Sequence, residues 1–148
     1  MHLKRRLPQL LGFSGLLPMA GILGGGWLWS DHQDQWLFFA LLYVGSIFSF
    51  LGGIQWGLAI QREVSNDTHL RFTTRLAVGI APSLITFTAL ILSPIYGGLM
   101  LFTGLWLLLA FEWQCSEKNP LPTWYLPLRL NLTLLLSSSL IAALWFFA

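Results

Sequence analysis

The sequence predicts an all-α polytopic membrane protein, a bundle of five transmembrane helices with the N-terminus inside and the C-terminus outside. Three observations predict it. Hydrophobic residues make up 55% of the 148-residue chain and charged residues 9%, against about 25% charged in soluble domains. Five apolar runs are each long enough, at ~17–25 residues, to cross a hydrocarbon core of ~30 Å. The bases are all on one side of the resulting topology. Lys4, Arg5, Arg6, Arg62, Arg71, Arg75, Lys118 and Arg129 fall on the side of the N-terminus, while the opposite turn holds Asp31 and Asp34 and no base. The positive-inside rule then places that basic side in the cytoplasm.

The first run, residues 7–29, follows the basic cluster Lys4-Arg5-Arg6 and contains Pro8 and Pro18. A basic start before an apolar run also fits a signal peptide. This run exceeds the usual h-region of about 7–15 residues and shows no clear small-x-small cleavage site, so a retained first helix is expected. The second span is residues 36–61, and 36–60 carries no charge. Small residues recur along it at Gly45, Ser49, Gly53 and Gly57, and with Ser46 and Gly52 they fall within an arc of about 140°. A face without bulky side chains lets a second backbone approach closely, which is how helices associate in lipid. Gly45, Ser49, Gly52, Gly53 and Gly57 are therefore the candidate packing positions, within the subunit or in self-association. Phe50, Ile54, Ile47, Leu51 and Phe48 form the other flank.

A polar connection at residues 62–75 leads to the third span, 76–92, with Pro82 in its first half. Ser93-Pro94 is too short a link for anything but an antiparallel hairpin with the fourth span, 95–113. A proline-broken loop, 116–128, precedes the fifth span, 128–147. Trp27, Trp29, Trp36, Tyr96 and Trp145 fall at the outer interface and Trp113, Trp124 and Tyr125 at the inner one, as aromatic belts do.

Three segments carry a family resemblance: residues 12–18 (GFSGLLP), residues 49–57 (SFLGGIQWG), and Pro122-Thr123-Trp124-Tyr125 with Leu128-Arg129 and Leu132-Thr133. In order and spacing they resemble the domain of unknown function 3429 family of small bacterial inner-membrane proteins. A mitochondrial transmembrane protein of animals is similar to it. The resemblance covers nearly the whole chain and implies a fold and an inner-membrane location, with no activity attached. Family members often carry His where this chain has Gln55.

Candidate functional residues are few. Gln55 lies at the edge of the small-residue arc, where a bare amide is costly. Trp56 projects into that arc, to cover the glycines or to lie under a partner helix. Glu112 and Arg129 are expected at the ends of the fourth and fifth spans on the same membrane face. They either pair or reach separately into headgroups. Trp124 and Tyr125 sit beside them. No Asp, Glu, Lys, Arg or His falls in the middle of a span, so no buried charge is expected, and proton-coupled transport lacks its usual groups. With every His in a tail or loop, haem has no axial ligand within the bundle. Asp31, His32 and Asp34, and likewise Asp67 with His69, read as solvated loops rather than metal sites. One cysteine, Cys115, excludes an internal disulfide. No cofactor is expected. The partners expected are membrane lipid and other membrane proteins or a second copy of the chain, and no nucleic acid. The leading reading is a non-enzymatic accessory or assembly factor. A small-solute carrier is suggested by Pro18, Pro82, Gln55 and Asn131. An enzyme acting at the inner interface through Glu112, Arg129, Trp124 and Tyr125 is the remaining alternative.

Overall fold

The computed structural model describes residues 3–63, 69–118 and 121–148. They form six α-helices and one 3-10 turn: α1 (Leu3–Ser14), α2 (Leu17–Leu28), the turn (Ser30–His32), α3 (Gln33–Glu63), α4 (His69–Ile91), α5 (Pro94–Lys118) and α6 (Tyr125–Phe147). Five stretches are long and apolar enough to cross a membrane, with α1 and α2 together supplying the first, Arg6–Leu28.

The first span is two helices where a single helix containing Pro18 was expected. The chain turns at Gly15 and Leu16, and α2 restarts with proline in its first turn, where a missing N–H costs nothing. Pro18 therefore initiates a helix here instead of kinking one. The Tyr43 hydroxyl of α3 donates to the Gly15 carbonyl at the break, satisfying one of the acceptors that the interruption frees.

The other helices run past the predicted ends of their apolar cores, α4 by seven residues at its start (69 instead of 76) and α5 by five at its finish (118 instead of 113). Backbone hydrogen bonding continues wherever the sequence allows it, whereas apolarity stops at the headgroups. Hydropathy therefore marks the bilayer and not the helix end.

α3 is the centre of the bundle and packs against α2, α4, α5 and α6. Phe48, Val44, Leu37 and Ala40 on it are buried with Leu101 and Leu105 of α5 and Leu136 and Leu140 of α6. Two glycines set its crossing with α4. A Cβ on Gly52 would come within 2.5 Å of the Gly79 carbonyl oxygen, and one on Gly79 within 2.9 Å of the Gly52 carbonyl oxygen. The outer surface is apolar: Phe50, Phe87, Ile91 and Leu107 are each at least 66% exposed. An apolar surface on all sides, with the few charged groups turned inward, is the arrangement lipid selects.

Candidate functional site

One side chain from each of four helices meets inside the bundle, one to two turns from the end where α4 and α6 begin and α3 and α5 finish. The distance from the helix ends is roughly 6–12 Å at 1.5 Å per residue. Arg129 of α6 donates from Nε to Glu112 Oε2 of α5 at 2.9 Å and from NH2 to Glu112 Oε1 at 3.5 Å. Gln55 of α3 donates from Nε2 to the same Oε1 at 3.0 Å. Arg75 of α4 donates to the Gln55 carbonyl oxygen at 3.4 Å, and Arg129 NH1 donates to Thr133 Oγ1 at 3.0 Å. The series runs Arg75, Gln55, Glu112, Arg129, Thr133 without a gap. Arg75 is 5% exposed, Arg129 3% and Glu112 2%.

Three expectations change here. Buried charge was not expected, and the bundle encloses three charged side chains. Arg75 was placed in the polar connection, but it lies inside α4 because that helix starts at His69. Glu112 and Arg129 were expected at helix ends. Each helix extends past them, so neither sits at a terminus and the macrodipole, which acts within the terminal turn, is a minor term. Their pairing is direct, and both are sealed from headgroups.

The physical logic is compensation. Each ion loses hydration worth several kcal/mol on burial, and only a partner with good geometry and filled hydrogen-bond sites recovers it. Glu112 has both oxygens occupied, by donors from α3 and α6. Gln55 suits the middle position because an amide both donates and accepts: it gives to Glu112 and takes from Arg75. Two guanidiniums face one carboxylate, so the layer carries a positive excess.

The remaining predicted residues separate. Gly45 packs on Thr86, whose hydroxyl donates to the Gly45 carbonyl at 3.1 Å and takes the Ser49 hydroxyl at 3.3 Å. Gly52 packs on Gly79. Gly53 and Gly57, by contrast, have open space where a Cβ would go and are exposed. The predicted arc is thus split between a face filled by α4 and a face left empty. Trp56 lies over Gly79 and donates from Nε1 to the Leu76 carbonyl at 3.1 Å, so its ring covers α4. On the opposite flank Ile54 and Ile47 pack partly buried against the core, and Phe48 and Leu51 are buried within it. A helix surrounded by neighbours has no single lipid flank.

Trp124 and Tyr125 meet edge to face at the start of α6, with centroids 6.0 Å apart. The Tyr125 hydroxyl is buried without a hydrogen-bond partner among the described residues, and so is Ser137 Oγ. Arg75, Thr86, Thr133 and Ser137 are buried polar residues that sequence reasoning did not select as candidates. Tyr125, Arg129, Thr133 and Ser137 recur every four residues, which puts them on one helical face; that spacing was the available signal. Asp31 and His32 are exposed on the 3-10 turn and Asp34 in the first turn of α3. Asp67, weighed with His69 as a metal pair, lies outside the described residues.

An apolar exterior, five membrane-length spans and a charge layer enclosed among four helices define a multi-pass helical membrane protein. The family described as "Protein of unknown function (DUF3429)" matches residues 4–145, and the chain belongs to it. No curated protein and no solved structure matches the chain.

Proposed function

We propose that the protein is a non-enzymatic accessory or assembly factor of a bacterial inner membrane, acting by binding other membrane components through its helix surfaces. The observation that carries this reading is closure of the polar layer. Gln55, Arg75, Glu112 and Arg129 are spent on one another and sealed from solvent. Such a layer fixes helix positions and leaves no group free for substrate chemistry. What the bundle leaves open is on its outside, where the central helix presents Gly53 and Gly57 with nothing against them. The basic end faces the cytoplasm and the C-terminus the periplasm, supported by the one-sided distribution of Lys and Arg.

The test is photocrosslinking in cells from a reactive side chain introduced at Gly57. A discrete protein adduct, reduced by Gly53→Leu on the same face, is the expected result. Adducts to lipid alone, here and at exposed Phe50 and Phe87, reject the reading.

A carrier reading has one specific observation in its favour. The α1–α2 break borders a cavity of about 50 Å³ lined by Gly12, Gly15, Ile47, Leu51, Arg129 and Leu136, among others. This volume is enough for a water molecule or two, and it places one charged residue beside a discontinuous helix, as in transporter sites. Solute flux in proteoliposomes that disappears in Arg129→Gln, with the variant still folded, would favour it.

A further inference from the structure

At the basic end of the bundle, α1 and the chain entering α6 enclose an open cavity of about 460 Å³, lined by Arg6, Gln9, Pro122, Thr123 and Trp124. The proposed accessory role makes no use of it. Its volume falls in the range of small-molecule sites, about 300–1,000 Å³. Its chemistry is one-sided: a guanidinium, an amide and a hydroxyl, with no carboxylate among these lining residues. Arg6 is exposed and has no ion-pair partner among the described residues. Arg129 follows Trp124 by five residues along α6 and belongs to a layer with two guanidiniums and one carboxylate.

We infer that this cavity binds a phosphate group, supplied by the headgroup of an anionic glycerophospholipid. Arg6 is the ion-pair donor, with Thr123 and Gln9 adding neutral hydrogen bonds. Guanidinium matches phosphate through paired N–H donors. The location selects the source. The cavity lies where the first and fifth spans reach the membrane boundary, with Trp124 and Tyr125 in the position of interfacial aromatics, and phosphodiesters are the abundant anions at that depth. The ligand bridges α1 to α6, so it holds in place the half-helix that begins the broken first span.

The test uses the full chain in dodecyl maltoside, with binding of dioleoylphosphatidylglycerol followed by native mass spectrometry and inorganic phosphate run as a separate arm. Arg6 is exposed, so Arg6→Gln folds, which unchanged circular dichroism will confirm. Losing one charge-assisted contact is expected to weaken lipid binding by about tenfold, while Arg6→Lys retains part of it. Thr123→Val removes no charge and is expected to weaken binding by about threefold, a loss that diffuse surface attraction does not explain. Lipid binding that persists against excess phosphate supports the headgroup as the source, and binding of phosphate without lipid overturns that source. Equal lipid affinity in the wild type, Arg6→Gln and Thr123→Val overturns the site. Neither result bears on the accessory role, which rests on the closed layer and the exposed face of α3.

Discussion

The Gln55 amide donates to Glu112 over 3.0 Å and so connects the central helix to the charge on α5. Arg75 binds the other end of the same amide, which makes Gln55 a neutral link between two helices carrying opposite charges. Gln55→Leu leaves a carboxylate and a guanidinium each short of a partner. A loss of about 2–4 kcal/mol is expected, since a buried group left unsatisfied costs about 1–3 kcal/mol and more when charged. Unfolding in dodecyl sulfate followed by circular dichroism measures it. Gln55→His, the residue the family resemblance suggests at this position, keeps a donor and an acceptor and should lose less than Gln55→Leu.

Glu112 and Arg129 supply the second prediction. Removing one member of a buried pair typically costs about 3–5 kcal/mol because the other charge stays buried. Glu112→Gln and Arg129→Gln should each destabilise strongly, and the double variant should lose less than the sum by at least about 1 kcal/mol. Additivity would show that the two side chains do not interact in the folded protein.

The α3 glycines separate by neighbour. Gly52→Ala drives a methyl against the Gly79 carbonyl and the Pro82 ring, and overpacking of this kind costs about 1–3 kcal/mol. Gly53→Ala meets nothing and should stay within about 0.5 kcal/mol. Thermal denaturation of the two variants in the same detergent compares them directly, and equal losses would remove the close α3–α4 crossing.

Much of the architecture could be read from the sequence, for reasons that also mark where the reading stopped. Apolar length locates a span because lipid imposes it, and Ser93-Pro94 fixes a hairpin because it is too short to do otherwise. Gly45 and Gly52 were identifiable as packing positions by size alone. Their neighbours Gly53 and Gly57 were not separable from them, because the small-residue pattern gives the arc and not where α4 stops covering it. Arg75 escaped for a related reason: hydropathy ends a span at the first charge, whereas a charge with a partner can lie well inside. Glu112 and Arg129 were visible as candidates, but Gln55 as the group joining them to α4 required the three-dimensional arrangement. The break at Gly15 follows from Pro18 starting a helix, a role that sequence context did not separate from kinking one.

Tyr43 supplies the fourth prediction. Its hydroxyl reaches the carbonyl of Gly15 across the α1–α2 break. Tyr43→Phe keeps the ring and removes that bond, at an expected cost of about 0.5–1.5 kcal/mol. The effect should be local. Amide hydrogen exchange at residues 12–20 should accelerate while α5 and the middle of α3 stay protected. Uniform acceleration would mean that Tyr43 supports the whole bundle.

Topology gives the fifth. A reporter fused after Ala148 should read as periplasmic and one inserted after Thr68 as cytoplasmic. Both on one side would contradict five crossings.

Arg129, the counter-ion of Glu112, is carried on the helix that follows α5 in the chain, and this has a consequence for how the protein is made. Gln55, Arg75 and Glu112 emerge in that order, so a nascent chain ending after α5 holds a carboxylate in the membrane that lacks its guanidinium. Such an intermediate can shelter Glu112 only against Arg75 or by keeping α5 near the surface. Completion of α6 is then expected to let the fourth span settle at its final depth. Chains truncated before residue 125 are therefore expected to leave α5 incompletely inserted, which protease accessibility of that helix would measure.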